Sequence, residues 1–151
     1  MKRETMQDFP HFYPVTATAG STSAVTLSTP GTHSLESLGP VEFGGPGDLW
    51  SPETLLVAAV ADCLILSFRG TARAARFEWL SLDVDATGKL DRVDRVTRFV
   101  HFEIRATLKV PAGTNLEKAE KLLHTAERHC LITNSLLADS SLDTRILAFE
   151  E

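Results

Sequence analysis

The middle of the chain holds an almost uninterrupted apolar stretch. It runs from Leu55 to Phe68, and Asp62 is its single charged side chain. A membrane span needs about 20 apolar residues, more than this stretch contains, so the stretch is interpreted as a core helix. Its side chains are apolar nearly all round, and a helix of that kind is buried on every side. Because one sheet cannot easily cover it in a chain of 151 residues, a second copy is expected to pack against it.

A helix-start signal stands just before this stretch. Ser51 suits the N-cap, Pro52 suits the first helical position, and Glu53 complements the positive end of the helix dipole. The sequence therefore predicts a helix from Thr54 to about Ala75.

Length and composition indicate one ordinary domain. The chain has 151 residues and a mass of 16.5 kDa, with 43% hydrophobic and 23% charged residues, which excludes a disordered chain. We expect an N-terminal arm over residues 1–12 and a single domain over residues 13–151.

Charge and cysteine content narrow the class of protein. The net charge is −5 and no Lys/Arg cluster is present, so we expect no nucleic-acid partner. Two cysteines are too few for a disulfide-stapled secreted scaffold. The N-terminal segment, MKRETMQDFPHFYP, contains no apolar core of a signal peptide. We therefore expect a cytoplasmic protein that does not span a membrane.

Hydrophobic patterning predicts an α+β domain with helices on antiparallel sheets. Alternating residues predict four strands, an apolar stripe predicts a second helix, and a fifth strand is expected to close the chain. The strands are Tyr13–Ala19 and Ser23–Thr29, paired as a hairpin, then Trp79–Leu90 and Phe99–Val110, with a last strand over Leu142–Phe149; the second helix runs from Leu116 to about Cys130, and Pro30–Trp50 is a loop. The arginine-rich segment between the two central strands is interpreted as a charged linker.

The two cysteines are the first candidates for chemistry. Cys63 lies in the middle of the apolar helix, and Cys130 ends the second helix. Free cysteines are often small core residues, and sequence cannot show pairing. Their wide separation along the chain excludes a zinc knuckle or a C-x-x-C motif but allows a pair that meets in space. We see no phosphate loop or dinucleotide fingerprint, and no spacing supports a metal site at His129 and Cys130, so we expect no cofactor and no metal.

The sequence around both cysteines resembles the OsmC/Ohr family. Residues 51–63, SPETLLVAAVADC, are similar to the family's central-helix signature, in which a Pro-Glu pair precedes an Ala-rich helix with a reactive cysteine ten residues after the glutamate. Glu53 and Cys63 have that spacing. Residues 126–136, AERHCLITNSL, are similar to the second cysteine motif, around Cys130. The order of elements is similar to the family from about Val15 to Phe149.

This resemblance implies a thiol-dependent peroxidase that acts on organic hydroperoxides. Cys63 would be the peroxidatic cysteine, and Cys130 would resolve its sulfenic acid as a disulfide that a dithiol partner later reduces. The family also implies an intertwined homodimer with two sites at its interface. Ten residues of helix span about 15 Å, so Glu53 could serve only the cysteine of another subunit. The alternative is that Glu53 is a first-turn residue that complements the helix dipole.

One family feature is missing. The family's sites use an arginine from the N-terminal strands or from the loop before the central helix, but this sequence has none between Arg3 and Arg69. A mid-helix thiol without a nearby cation is inert when buried. Arg69, Arg98, Arg128 or His129 are the candidates to replace it.

Two other function classes remain open. The first is a non-catalytic OsmC-fold dimer that binds an apolar small molecule or acts as a slow redox switch, which the missing arginine favours. The second is an acyl-transfer enzyme, which needs a general base beside Cys63 that only Glu53 of another subunit could supply.

Overall fold

The computed structural model describes residues 6–150. Contacts within the chain form two compact units, of which one ends at Glu53 and the other begins at Thr54. Residues 6–12 of the predicted arm contain no helix or strand, whereas residues 1–5 of the arm, and residue 151 of the predicted domain, lie outside the described residues. The division into an arm and a single domain stays a prediction.

The first unit contains a small antiparallel sheet. Its strands are β1 (Thr16–Thr18), β2 (Val25–Ser28) and β3 (Leu35–Ser37), in that order across the sheet. The predicted N-terminal hairpin is confirmed by the pairing of β1 with β2. The predicted loop is wrong in part, since it contains β3 and a 3-10 helix over Val41–Phe43. Each has three residues, which is too short for a periodic signal in the sequence.

The second unit carries the long helix, a second helical region and a larger sheet. The elements are α1 (Pro52–Ala74), whose residues from Thr54 onward belong to this unit, then β4 (Ser81–Val93), β5 (Val96–Pro111), α2 (Leu116–Arg128), α3 (Leu131–Asn134) and β6 (Asp139–Phe149). The sheet order is β4-β5-β6. This arrangement confirms the predicted α+β class and the predicted helices and strands.

The direction of the last strand corrects one expectation. Strands β4 and β5 are antiparallel, but β6 runs parallel to β5, with Ile104 opposite Leu142 and Leu108 opposite Ile146. The chain reaches β6 through α2 and α3, and a helical crossover of this length returns a strand in the same direction. The prediction of purely antiparallel sheets is therefore wrong for this pair.

The predicted charged linker is also wrong. Strands β4 and β5 continue through it as a two-stranded ribbon, with Val93 opposite Val96. The turn residues Asp94 and Arg95 have positive φ values of 50° and 67°. Two positive φ values are what a tight hairpin turn requires, because they match the twist of the flanking strands.

The core of the second unit lies between the helices and one face of the sheet. The expected inward face of β5 is confirmed, since alternate side chains from Phe102 to Val110 are buried and Val100 is half-buried. The helices contribute Val60, Leu64, Phe68 and Ala72 from α1, and Ala119, Leu123 and Ala126 from α2. Burial at every fourth residue marks one stripe of α1 facing this core.

The remaining surface of α1 is less covered within one chain. Leu66 is 53% exposed, and most other apolar side chains of the helix are half-buried. By length and composition α1 could cross a membrane, with a mean hydropathy of 1.7 and 22% of its most apolar window buried. The core helix of a soluble protein passes the same test, so this property alone carries little weight.

A glycine sets the distance between α1 and the sheet. A Cβ added to Gly88 on β4 would lie 2.8 Å from Cγ2 of Val57 and 2.7 Å from the ring of Phe99. These distances are shorter than a van der Waals contact, so any side chain at this position would push the helix or the ring away. Gly88 thereby allows the close packing that holds the helix of Cys63 against the sheet.

Candidate active site

Cys63 lies on α1 immediately before Leu64 of the buried stripe. Its side chain is half-buried and its thiol is free. The Sγ atom lies 3.8 Å from the hydroxyl of Ser67, one helical turn further on. Either group can donate in this contact, so the hydroxyl is available to a thiolate as well as to a thiol.

Cys130 lies between α2 and α3 and is 1% exposed. Its backbone N–H donates to the carbonyl of Glu127, and its carbonyl accepts from the backbone N–H of Asn134, so the residue is held at both ends by helical hydrogen bonds. The hydroxyl of Thr133 donates to the Cys130 Sγ atom over 3.2 Å. The thiol is therefore fixed in orientation and shielded from solvent.

The fold brings the two thiols together. The pKa of Cys130 is raised overall, and burial is the largest cause. Hydrogen bonding to Thr133 lowers this pKa. The hydrogen bond with Cys63 and the charge of Cys63 raise it further. Cys63 can act on Cys130 in this way only as a close neighbour. Both cysteines are free rather than bridged. Cys63 and Cys130 are thus neighbours in the reduced protein, and their pairing as a disulfide stays a prediction.

Glu53 occupies the first turn of α1. Because α1 is continuous, the ten residues from Glu53 to Cys63 correspond to about 15 Å along the helix axis, so the two do not meet within one α1. The Oε2 atom of Glu53 is buried and has no hydrogen-bond partner among the described residues. Buried carboxylate oxygens normally have a partner, so the Glu53 Oε2 atom is an exception to that rule.

A sequence profile of the OsmC-like protein family matches residues 45–145, a range that includes Glu53 and both cysteines. The chain belongs to the OsmC-like protein family. Solved structures agree. An OsmC-like protein of unknown function from Vibrio cholerae superposes with a TM-score of 0.79 at 20% identity, covering 89% of this chain and 99% of that one.

Two further OsmC-like structures carry more specific descriptions. An organic hydroperoxide resistance protein from Legionella pneumophila superposes with a TM-score of 0.72 at 21% identity, covering 93% of this chain and 99% of that one. An organic hydroperoxide resistance protein from Bacillus subtilis superposes with a TM-score of 0.62 at 18% identity, covering 92% and 98%. No curated protein matches the chain. At these identities the structures establish the OsmC-like fold, which confirms the fold predicted from the resemblance.

The candidate replacements for the family arginine take different positions in this OsmC-like chain. Arg69 and His129 are exposed, and Arg98 is half-buried on β5. Arg128 is exposed, and its guanidinium donates to the hydroxyl of Thr125. The largest influences on the pKa of the buried thiol are burial, Thr133 and Cys63, none of which is a cation. Among the described residues, the hydroxyl of Ser67 contacts the Cys63 thiol and the hydroxyl of Thr133 contacts the Cys130 thiol.

These hydroxyl contacts were missed by the sequence analysis. Ser67 follows Cys63 by four residues and Thr133 follows Cys130 by three, which are the spacings that bring side chains together on a helix. That signal was present, but such pairs are common and neither residue type marks a thiol site. Among the described residues, no three His, Cys, Asp or Glu side chains are grouped to hold a metal ion.

Proposed function

We propose that this OsmC-like protein is a thiol-dependent peroxidase that reduces organic hydroperoxides. The observation that carries the proposal is the pairing of two free thiols, Cys63 and Cys130, from positions far apart in the chain. Solved structures that share the fold include organic hydroperoxide resistance proteins. In this proposal Cys63 is the peroxidatic cysteine and Cys130 is the resolving cysteine.

The reaction balances with these two thiols and an external dithiol. The Cys63 thiolate attacks the terminal oxygen of the hydroperoxide, the O–O bond breaks, and the alkoxide leaves and takes up a proton to give the alcohol. Cys63 becomes a sulfenic acid. The Cys130 sulfur then attacks the Cys63 sulfur, an S–S bond forms and water leaves. A dithiol partner reduces the disulfide by exchange and is itself oxidised.

Exposure supports this division of roles. Cys130 is 1% exposed, whereas Cys63 is half-buried, so an incoming peroxide reaches Cys63 first. The pKa of Cys130 is raised, chiefly by burial, which keeps Cys130 a neutral thiol in the reduced protein at neutral pH. A Cys63 thiolate can accept a hydrogen bond from that neutral thiol.

The surroundings of Cys63 favour an apolar substrate. Cys63 is followed by Leu64, Ile65 and Leu66, of which Leu66 is exposed. Contact with apolar surface favours an alkyl or aryl hydroperoxide over hydrogen peroxide, because the substrate gains by leaving water. We therefore propose organic hydroperoxides as the substrate class.

The proposal includes a homodimer. A second copy would cover the apolar surface of α1 that one chain leaves exposed, and it would bring Glu53 of one subunit to Cys63 of the other. The buried, unpartnered Oε2 atom of Glu53 supports a site that a single chain does not complete. The proposal places the protein in the cytoplasm, where thiols are kept reduced.

Steady-state turnover with dithiothreitol as the dithiol tests the proposal. We expect wild-type protein to consume cumene hydroperoxide with a higher kcat/KM than hydrogen peroxide. Cys63→Ser should abolish turnover. Cys130→Ser should slow turnover, because the sulfenic acid on Cys63 must then be reduced directly by the external thiol. Wild-type turnover that survives Cys63→Ser would contradict the proposal.

The second candidate function is an OsmC-fold dimer that binds an apolar small molecule or acts as a slow redox switch. Among the described residues, the Cys63 thiol contacts the hydroxyl of Ser67 and not a cation, and a thiol without a nearby cation is a weak nucleophile at neutral pH, which favours this function. It predicts no turnover and the same slow oxidation of both thiols with any peroxide.

A further inference from the structure

The hydroxyl of Thr133 is bonded to sulfur and not to backbone. Other hydroxyls nearby satisfy carbonyl groups, as Ser135 does by donating to the carbonyl of Leu131 over 2.7 Å. Thr133 instead donates to the Cys130 Sγ atom over 3.2 Å, within the sulfur contact range. Thr133 lies on α3, three residues after the cysteine, so the backbone of one short helix fixes both groups.

A buried resolving cysteine needs such a donor. Cys130 is 1% exposed, so water cannot solvate a thiolate there, and burial is the largest influence on its thiol. Both the side chain and the backbone of Thr133 act in the opposite sense and lower the pKa of Cys130. Cys63 on α1 is the titratable group that faces Cys130. At the end of α2, Glu127 accepts from the hydroxyl of Ser140, and His129 is exposed.

We propose that Thr133 is a positioning residue for the step in which Cys130 forms the disulfide with Cys63. This inference rests on the proposed function and assigns a residue to its second half. The Thr133 hydroxyl orients the Cys130 sulfur and stabilises the negative charge that develops on it as it attacks the Cys63 sulfenic acid. The S–O bond of Cys63 breaks, an S–S bond forms, and the hydroxide leaves as water with the proton of Cys130. No oxidant beyond the first hydroperoxide is needed.

A titration without peroxide tests the hydrogen bond itself. In a Cys63→Ser background Cys130 is the single thiol, and its ionisation is followed by thiolate absorbance at 240 nm. Thr133→Val keeps the shape of the side chain and removes the donor, so the midpoint should rise by about one pH unit. Thr133→Ser keeps the donor and should restore the wild-type midpoint. The matched control, Ser135→Ala, removes a hydroxyl from the same segment and should leave the midpoint unchanged.

Rapid-quench intact mass measurement tests the role in disulfide formation, with cumene hydroperoxide and with diamide as parallel oxidants. Thr133→Val in the wild-type background should leave the first oxidation of Cys63 unchanged and slow disulfide formation at pH 7 about tenfold with both oxidants. Thr133→Ser should restore the rate.

The outcomes separate this inference from the proposed function. Unchanged disulfide formation in Thr133→Val or an unchanged titration midpoint would overturn the role of Thr133. Where both oxidants form the disulfide in wild type, slowing with only one of them would overturn it as well. A further outcome is that cumene hydroperoxide fails to oxidise the wild type while Thr133→Val still slows disulfide formation with diamide. That result would support the role of Thr133 and would reject only the peroxidase proposal.

Discussion

At the scale of single residues, the proposed chemistry depends on the ionisation of a thiol that is buried away from water. Burial of Cys130 opposes its ionisation, the neighbouring Cys63 opposes it further, and Thr133 favours it. The sequence allowed both cysteines to be selected because each lies in a recognisable motif. It did not reveal Thr133, because a threonine three residues after a cysteine is common, and only the backbone of α3 shows that its hydroxyl meets the sulfur.

The raised pKa of Cys130 predicts how stability changes with pH. The folded protein keeps the Cys130 proton above the unfolded-state pKa near 9.0, where the unfolded chain releases it. Stability from the neutral thiol is therefore fully present below about pH 9 and is lost as pH rises toward the folded-state pKa. Urea unfolding of the reduced proteins at pH 7 and at pH 10 measures this effect. The free energy of unfolding should fall more between the two pH values in wild type than in Cys130→Ala. Equal losses in the two proteins would contradict the raised pKa.

At the scale of elements, alternation and apolar periodicity were sufficient to predict the strands and helices of the second unit. They could not predict that β6 runs parallel to β5, because strand direction depends on the path of the connection. They also could not predict that the ribbon of β4 and β5 continues through the arginine-rich segment. Both faces of a two-stranded ribbon can be exposed to solvent, so its residues are as highly charged as those of a linker. The short elements β3 and α3 have too few residues for any period.

The close approach of α1 to β4 predicts opposite effects at two glycines. Gly88→Ala should lower the free energy of unfolding by about 1–3 kcal/mol, because its Cβ would collide with Val57 and Phe99. Gly70→Ala on α1 is the matched control. A Cβ there meets no atom within 4 Å, and alanine favours helix by about 0.5–1 kcal/mol, so stability should rise. Chemical denaturation of both variants measures the two signs, and a neutral Gly88→Ala would refute the packing described for β4.

The start of α2 gives a separate prediction. The side chain of Asn115 accepts a hydrogen bond from the backbone N–H of Lys118 over 3.0 Å and so caps the helix. Asn115→Ala should cost about 1 kcal/mol of stability, and Asn115→Asp should retain most of it, because aspartate is an equally good cap. Urea unfolding measures both, and an Asn115→Ala variant as stable as wild type would show that the cap contributes nothing.

At the scale of the whole molecule, one chain does not fully cover the apolar surface of α1. Its sequence predicts burial on every side, yet the single chain fully buries only one stripe and leaves Leu66 53% exposed. The buried Oε2 atom of Glu53 also lacks a partner among the described residues. The apolar surface of α1 can be predicted from the sequence, and the second copy expected to cover it stays a prediction.

The proposed dimer predicts an effect of charge on α1. Leu66→Glu should dissociate the protein, since a carboxylate would be buried without a partner in an apolar interface. Leu116→Glu is the control, because Leu116 is similarly exposed at 47% but lies in the first turn of α2. Sedimentation equilibrium measures the mass of each variant. A Leu66→Glu variant that stays dimeric would exclude α1 from the interface.

The proposed sharing of Glu53 between subunits predicts complementation. Glu53→Gln and Cys63→Ser should each lower peroxidase turnover. When the two variants are unfolded together and refolded, random pairing should give wild-type pairs of Glu53 and Cys63 at about one quarter of the sites. Turnover of the mixture should therefore exceed that of both variants refolded alone. No gain on mixing would show that Glu53 does not act on the thiol of the other subunit.

The central claim is that Cys63 and Cys130 form a reactive pair. The most direct measurement is the intact mass of reduced protein before and after one equivalent of cumene hydroperoxide, with Cys130→Ser in parallel. We expect wild type to lose two hydrogens rapidly, and Cys130→Ser to gain one oxygen at Cys63. Two free thiols remaining in wild type after several minutes would contradict the account.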